Sequence, residues 1–154
     1  MLTQKKSGPG SRRVRDIMTP DPACVTEKDG IVEAVRIMKN EDTGVVPVVD
    51  DKRKLIGMIT DRDIVVRLVA EGRNPLDCKV NEAMTRHVRS VGEEALMDEV
   101  LHVMRSANVR RVPVCDQSGR IAGIVSMADL AIETEEKGKV GDVVQDISEA
   151  RPNN

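Results

Sequence analysis

The chain has 154 residues, 40% of them hydrophobic and none aromatic, with a formal charge of −2. That length suits one compact domain or two very small ones, with a core of Val, Ile, Leu, Met and Ala. The lack of basic excess and of rings on which bases stack argues against nucleic acid as a partner.

Cys24, Cys78 and Cys115 are odd in number and contain no Cys-x-x-Cys pair. Neither a disulfide framework nor a zinc ribbon is indicated, and reduced thiols in a cytoplasmic protein are expected. His87 and His102 share no ligand spacing, so no metal site is expected. No apolar run approaches the roughly 20 residues of a membrane span, so no membrane partner is expected.

Residues 1–12 read as a flexible leader; their basic residues are followed by no apolar run of the kind a signal peptide carries. A lead-in helical turn over Asp16–Met18 and a short strand near Ala23–Val25 come next. Thr26 and Asp29 offer a capping box. Behind it Ile31, Ala34, Val35 and Met38 follow the spacing of a helix with one apolar face. The β-branched run Val45–Val49, the polar turn Asp50–Lys54 and the run Leu55–Ile59 predict a hairpin. Thr60 is placed to cap a second helix carrying Ile64, Leu68 and Val69, which stops at Gly72.

The chain then repeats itself, without a gap, at an offset of 66 residues. Val14-Arg15-Asp16-Ile17-Met18-Thr19 falls on Val80-Asn81-Glu82-Ala83-Met84-Thr85, and Val46-Pro47-Val48-Val49-Asp50 on Val112-Pro113-Val114-Cys115-Asp116. Gly57-Met58-Ile59-Thr60-Asp61-Arg62-Asp63 falls on Gly123-Ile124-Val125-Ser126-Met127-Ala128-Asp129. In the second copy Met97, Val100, Leu101 and Met104 repeat the helical spacing. The reading is an α/β protein of two tandem β-α-β-β-α units, at residues 13–73 and 79–139, joined by a short segment. One such unit buries little surface alone, so the two are expected to pack together. Residues 140–154 restart the lead-in pattern and read as a closing helix and tail.

These motifs, in this order and duplicated, resemble the cystathionine-β-synthase (CBS) domain as a tandem pair. The carriers are the lead-in Met-Thr, the Val-Pro-Val strand with its Asp turn, and Gly-x-x-[Thr/Ser]-x-x-Asp after the third strand. The resemblance covers Arg13 to about Lys139. It implies a pseudo-twofold module, frequent homodimerisation, and adenosine-containing ligands in clefts between units. Such modules commonly regulate an attached enzyme or transporter; here a stand-alone module is expected.

Thr60-Asp61-Arg62-Asp63 admits two readings. Thr-x-x-Asp at a helix start is a capping box in itself. The same helix start presents free N–H groups to a phosphate, and an Asp one turn in can take both ribose hydroxyls. The resemblance assigns Thr60 to the phosphate and Asp63 to the ribose of a first site, with Ala23, Val45 and Met58 as the adenine slot. It also brings Arg110 and Arg111 to that site's phosphate from the other unit, where forked guanidinium donors suit phosphate oxygens. The equivalents in the first unit are Gly44 and Val45. A second, weaker site would use Arg89, Ile124, Ser126 and Asp129, with Arg89 either stacking on a base or pairing with Asp129.

The expected function is that of a regulatory module binding AMP, ADP, ATP, NAD or S-adenosylmethionine and signalling to an unidentified partner protein. The alternative is a constitutive interaction and dimerisation module with degenerate, empty clefts. Dimerisation is expected through the apolar helix faces Ile31–Met38, Ile64–Val69 and Leu96–Met104. No enzyme is indicated: the chain has no Walker loop, metal cluster or matching catalytic triad. Mg²⁺ enters only as the companion of a bound triphosphate, near Thr60, Asp61 and Asp63.

Overall fold

The computed structural model describes residues 12–133; the expected closing helix at 140–154 and all but the last residue of the leader lie outside them. The element order is β1 (Thr19–Pro20), α1 (Ile31–Asn40), β2 (Val45–Val49), β3 (Leu55–Thr60) and α2 (Asp61–Ile64). There follow β4 (Thr85–Arg86), β5 (Val91–Gly92), α3 (Met97–Ala107), β6 (Arg111–Cys115), β7 (Ile121–Ser126) and α4 (Met127–Glu133). The class is mixed α/β, as the sequence predicts.

Contacts divide the chain into two compact units that do not coincide with the sequence repeats. One comprises residues 12–20, 89–115 and 122–133, and the other Asp21–Val88 with Asp116–Ile121. Each unit is built on one repeat and takes its lead-in from the other.

In the unit containing the first hairpin, the sheet order is β2-β3-β4. β2 and β3 pair antiparallel with Val46 opposite Ile59, and β3 pairs with β4 through Met58 opposite Thr85. Side chains alternate across the sheet. Val46, Val48 and Ile59 therefore share a face with Ile31, Ala34 and Met38 of α1, and with Ile64 and Leu68 beyond β3. Val80, Ala83 and Met84, from the second repeat's lead-in, complete that cluster. Leu68 is fully buried there, and truncation to Ala at such a site costs about 2–5 kcal/mol. The tip of the second hairpin joins this unit: Leu55 N–H donates to Gly119 O at 3.1 Å and Ile121 N–H to Arg53 O at 3.1 Å.

Three local expectations are corrected here. The strand near Ala23–Val25 reduces to Val25, which bridges Val48 in parallel, while Ala23 is exposed. The Thr26–Asp29 motif closes a turn ahead of the helix: Asp29 Oδ2 accepts from Thr26 N–H at 2.8 Å, but α1 starts at Ile31 with Gly30 as its N-cap residue. The segment between is taken by the inter-repeat connection, since Ile31 N–H donates to Cys78 O at 2.9 Å and Val80 N–H to Asp29 O at 2.8 Å. Val69, expected on the apolar helix face, is 51% exposed. After Ile64 the helix widens into a π-turn, Val65–Val69, which rotates Val69 off the buried stripe. Gly72, at φ +73°, ends the element as expected.

The other unit has the sheet order β1-β7-β6-β5. β1, from the first repeat's lead-in, pairs antiparallel with β7, and β5 runs parallel to β6. Its core joins Val14 and Ile17 to Val100 and Met104 of α3, Val112 and Val114 of β6, Val125 of β7 and Leu130 of α4. Val14 N–H donates to Ala95 O at 2.8 Å, and Arg13 pairs with Glu94 at 3.1 Å.

Candidate functional site

In the first hairpin, alternation that sends Val46, Val48 and Ile59 into the core turns Val45, Pro47, Met58 and Thr60 to the opposite face. Val45 stands opposite Thr60 and Pro47 opposite Met58. Val45 and Met58 are nearly inaccessible without belonging to the core cluster. Two of the three expected slot residues thus share a face with Thr60; Ala23, the third, stands exposed on a loop.

Thr60 is the N-cap of α2, and the capping box is complete. Thr60 Oγ accepts from Asp63 N–H at 3.0 Å, and Asp63 Oδ2 accepts from Thr60 N–H at 3.0 Å. Of the two readings of this motif, the structural one is therefore realised. It does not exhaust the side chain, because each carboxylate oxygen has two acceptor positions. Asp63 Oδ1 lies 3.9 Å from Arg67 Nε, too far for a hydrogen bond and close enough for an ion pair; the Asp63 side chain is 17% exposed.

Asp61 closes the neighbouring edge. Its N–H donates to Gly44 O at 3.0 Å, and a Cβ on Gly44 would stand 3.1 Å from its Oδ2. In the second repeat the same backbone bond runs from Met127 N–H to Arg110 O at 2.9 Å. A glycine faced by a carboxylate in one copy is thus an arginine paired with a methionine in the other.

The second motif, in the other unit, keeps the cap. Ser126 N–H donates to Asp129 Oδ2 at 2.8 Å, and Asp129 N–H to Ser126 Oγ at 3.1 Å. Ile124 and Ser126 are half-buried, while Val125 between them is core. Arg89 does not pair with Asp129 as one expectation had it: its Nη1 donates to Ser106 Oγ at 2.6 Å, in the last turn of α3. That hydroxyl spends its own proton on His102 O at 2.8 Å, which leaves its lone pairs to accept from the guanidinium. Arg110 and Arg111 are exposed, and among the described residues neither is in an ion pair.

Sequence reading missed Arg67. It sits one turn beyond Asp63, a spacing that joins side chains on a helix, and the equivalent residue of the second repeat is Glu133. Its Nη1 donates to Ala83 O at 3.1 Å and to Met84 O at 2.7 Å. Of the thiols, Cys78 is buried and Cys24 half-buried; burial pushes the Cys24 thiol above its ordinary value despite nearby Arg53. Among the described residues no three His, Cys, Asp or Glu side chains gather as a metal ion needs. No helix among them is long and apolar enough to cross a membrane.

Two hairpins, each ending in a capped Thr/Ser-x-x-Asp turn and each met by a swapped lead-in, define a tandem pair. The CBS-domain family model matches residues 14–70 and 80–135, and the chain belongs to that family. Uncharacterized protein YlbB of Bacillus subtilis is 40% identical over 138 residues, spanning 89% of this chain and 92% of that protein. The crystal structure of Hypoxic Response Protein I with two coordinated zinc ions has a TM-score of 0.72 at 37% identity, over 79% of this chain and 98% of that one. The CBS domain pair of protein MJ0100, in complex with 5′-methylthioadenosine and S-adenosyl-L-methionine, has a TM-score of 0.70 at 31% identity, over 79% and 94%.

Proposed function

We propose that this chain is a regulatory module that binds an adenosine-containing ligand at the Thr60–Asp63 turn and passes its occupancy to a partner protein. The observation that carries this reading is the non-core face of the first hairpin. There Val45 and Met58 lie on the same sheet face as Thr60, the N-cap of the Thr60–Asp63 turn. The similar MJ0100 pair, crystallised with two adenosine ligands, supports the chemistry.

In this reading the base lies against Val45 and Met58, edged by Ala23, held by aliphatic contact and backbone hydrogen bonds. Asp63 accepts from the ribose hydroxyls through Oδ1 and the remaining position of Oδ2. Thr60 serves the phosphate of AMP, ADP, ATP or NAD, or its equivalent. With a triphosphate, Mg²⁺ would be shared with Asp61 and Asp63. The module is read as non-enzymatic, cytoplasmic and homodimeric.

The second site, Ser126 and Asp129 with Ile124, is read as weaker. Arg89 is engaged by Ser106, and Arg111 stands where the first slot has Val45. That engagement favours the alternative of an empty, purely architectural cleft for this site alone.

The chain has no Trp or Tyr, so its own near-ultraviolet absorbance is minimal. Purified, desalted protein is expected to carry a band near 260 nm, released by heat and assigned by mass spectrometry to an adenosine compound. Protein that carries no such band, and that gains none after incubation with S-adenosylmethionine or AMP, contradicts the proposal.

A further inference from the structure

The geometry points to Arg67 as the positioning residue for the ribose-binding carboxylate of Asp63, tying that carboxylate to the lead-in of the second repeat. This rests on the reading of Asp63 as the ribose acceptor.

Asp63 has one oxygen committed: Oδ2 takes the Thr60 amide at 3.0 Å, which fixes the carboxylate plane. Oδ1 faces Arg67 Nε at 3.9 Å. That separation leaves the lone pairs of Oδ1 available to a donor while placing a positive charge beside it. The guanidinium cannot swing away freely, because its Nη1 is held by the carbonyls of Ala83 and Met84 at 3.1 and 2.7 Å. A forked, planar group can serve carbonyls on one edge and a carboxylate on the other; an ammonium cannot do both.

The local backbone suits this arrangement. The π-turn Val65–Val69 contains Arg67, with Ala70 N–H donating to Val65 O at 2.8 Å, and π-turns inside helices often mark functional positions. Ala83 and Met84 are buried and follow the helical turn Val80–Glu82, so the anchor is itself fixed. The second repeat has Glu133 at the equivalent place, which cannot make these bonds. The device therefore belongs to the first site alone.

The test is an NMR titration of the full chain with adenosine and, separately, 2′-deoxyadenosine, for the natural protein, Arg67→Ala and Arg67→Lys. The natural protein is expected to prefer adenosine about tenfold, Arg67→Ala to lose most of that preference while still binding the base, and Arg67→Lys to keep an intermediate share. An unchanged preference in both variants overturns the positioning role, as does an equal weakening of both nucleosides, the mark of a merely structural residue. If Arg67→Ala does not fold, Arg67→Lys is read by the same ratio. A natural protein that binds both nucleosides equally removes the ribose role of Asp63, and one that binds neither removes the nucleoside site at Asp63; each outcome takes this proposal with it.

Discussion

Gly57 of the first hairpin lies directly against the backbone of Thr85: a Cβ at Gly57 would overlap the Thr85 carbonyl oxygen and the methyl of Met84. The relationship recurs at Gly123, where a Cβ would overlap Met18 and the Thr19 carbonyl. Two motifs of the repeat, the lead-in Met-Thr and the strand glycine, are thus one contact, and each glycine receives the lead-in of the other repeat. The missing side chain is what allows β4 and β1 to pair with their hairpins.

Gly57→Ala is therefore expected to destabilise the protein by about 1–3 kcal/mol, the usual effect of overpacking. Gly92→Ala, where a Cβ meets nothing within 4 Å, is the control and should stay within about 0.5 kcal/mol of the natural protein. Urea midpoints decide this; equal midpoints for the two variants would refute the close-contact explanation.

Acid sensitivity follows from two exposed carboxylates. Glu82 is held below its ordinary value by the Lys79 amide and then by the Arg73 guanidinium. Asp116 is held below its own by the Ser118 hydroxyl and then by the Arg120 and Ser118 amides. A depressed folded-state value means that the unfolded chain takes up the proton first as pH falls. Their stabilisation is present above the ordinary carboxylate range and is lost as pH drops through the lowered values. Both groups are solvent-exposed, so the effect of each is small. Glu82→Gln should flatten the fall in urea midpoint between pH 6 and pH 3; a slope identical to that of the natural protein would show that Glu82 contributes nothing to it.

The proposed dimer is best served by the stretch after Ile64. Most of the apolar faces of α1 and α3 is taken by the two cores, with Ile31, Ala34 and Met38 in one and Met97, Val100 and Met104 in the other, although Val35, expected on the face of α1, is 43% exposed. Val65, Val66 and Val69 remain 55%, 47% and 51% exposed along a single stretch. Self-association through that stretch predicts a dimer for the natural protein and a monomer for Val66→Glu, read by light scattering. A dimer that survives Val66→Glu would place the interface elsewhere.

Much of the fold was legible because the periodicities are strong. The β-branched run Val45–Val49, its polar turn and the run Leu55–Ile59, with helical spacing from Ile31 and from Met97, gave the first hairpin and the helices in place. The gap-free repeat exposed the tandem pair. The lead-in exchange was not legible, since Val14 and Val80 carry the same pattern whichever hairpin they join. Capping at Thr60 was legible, and capping at Thr26 misled, because the bonds at Cys78 O and Asp29 O come from residues distant in sequence. Arg67 escaped notice because its partners, Ala83 and Met84, offer backbone carbonyls, which no residue type announces.

The most direct test is calorimetric titration of the natural protein, Asp63→Ala and Asp129→Ala with AMP, ADP, ATP, NAD and S-adenosylmethionine. The regulatory-module reading predicts that at least one of the five binds at submillimolar concentration. Loss of the ribose acceptor at Asp63 should weaken it by about 1–3 kcal/mol, roughly 5- to 140-fold, and Asp129→Ala should change it far less. Binding of none of the five at millimolar concentration, or an equal loss in the two variants, would contradict it.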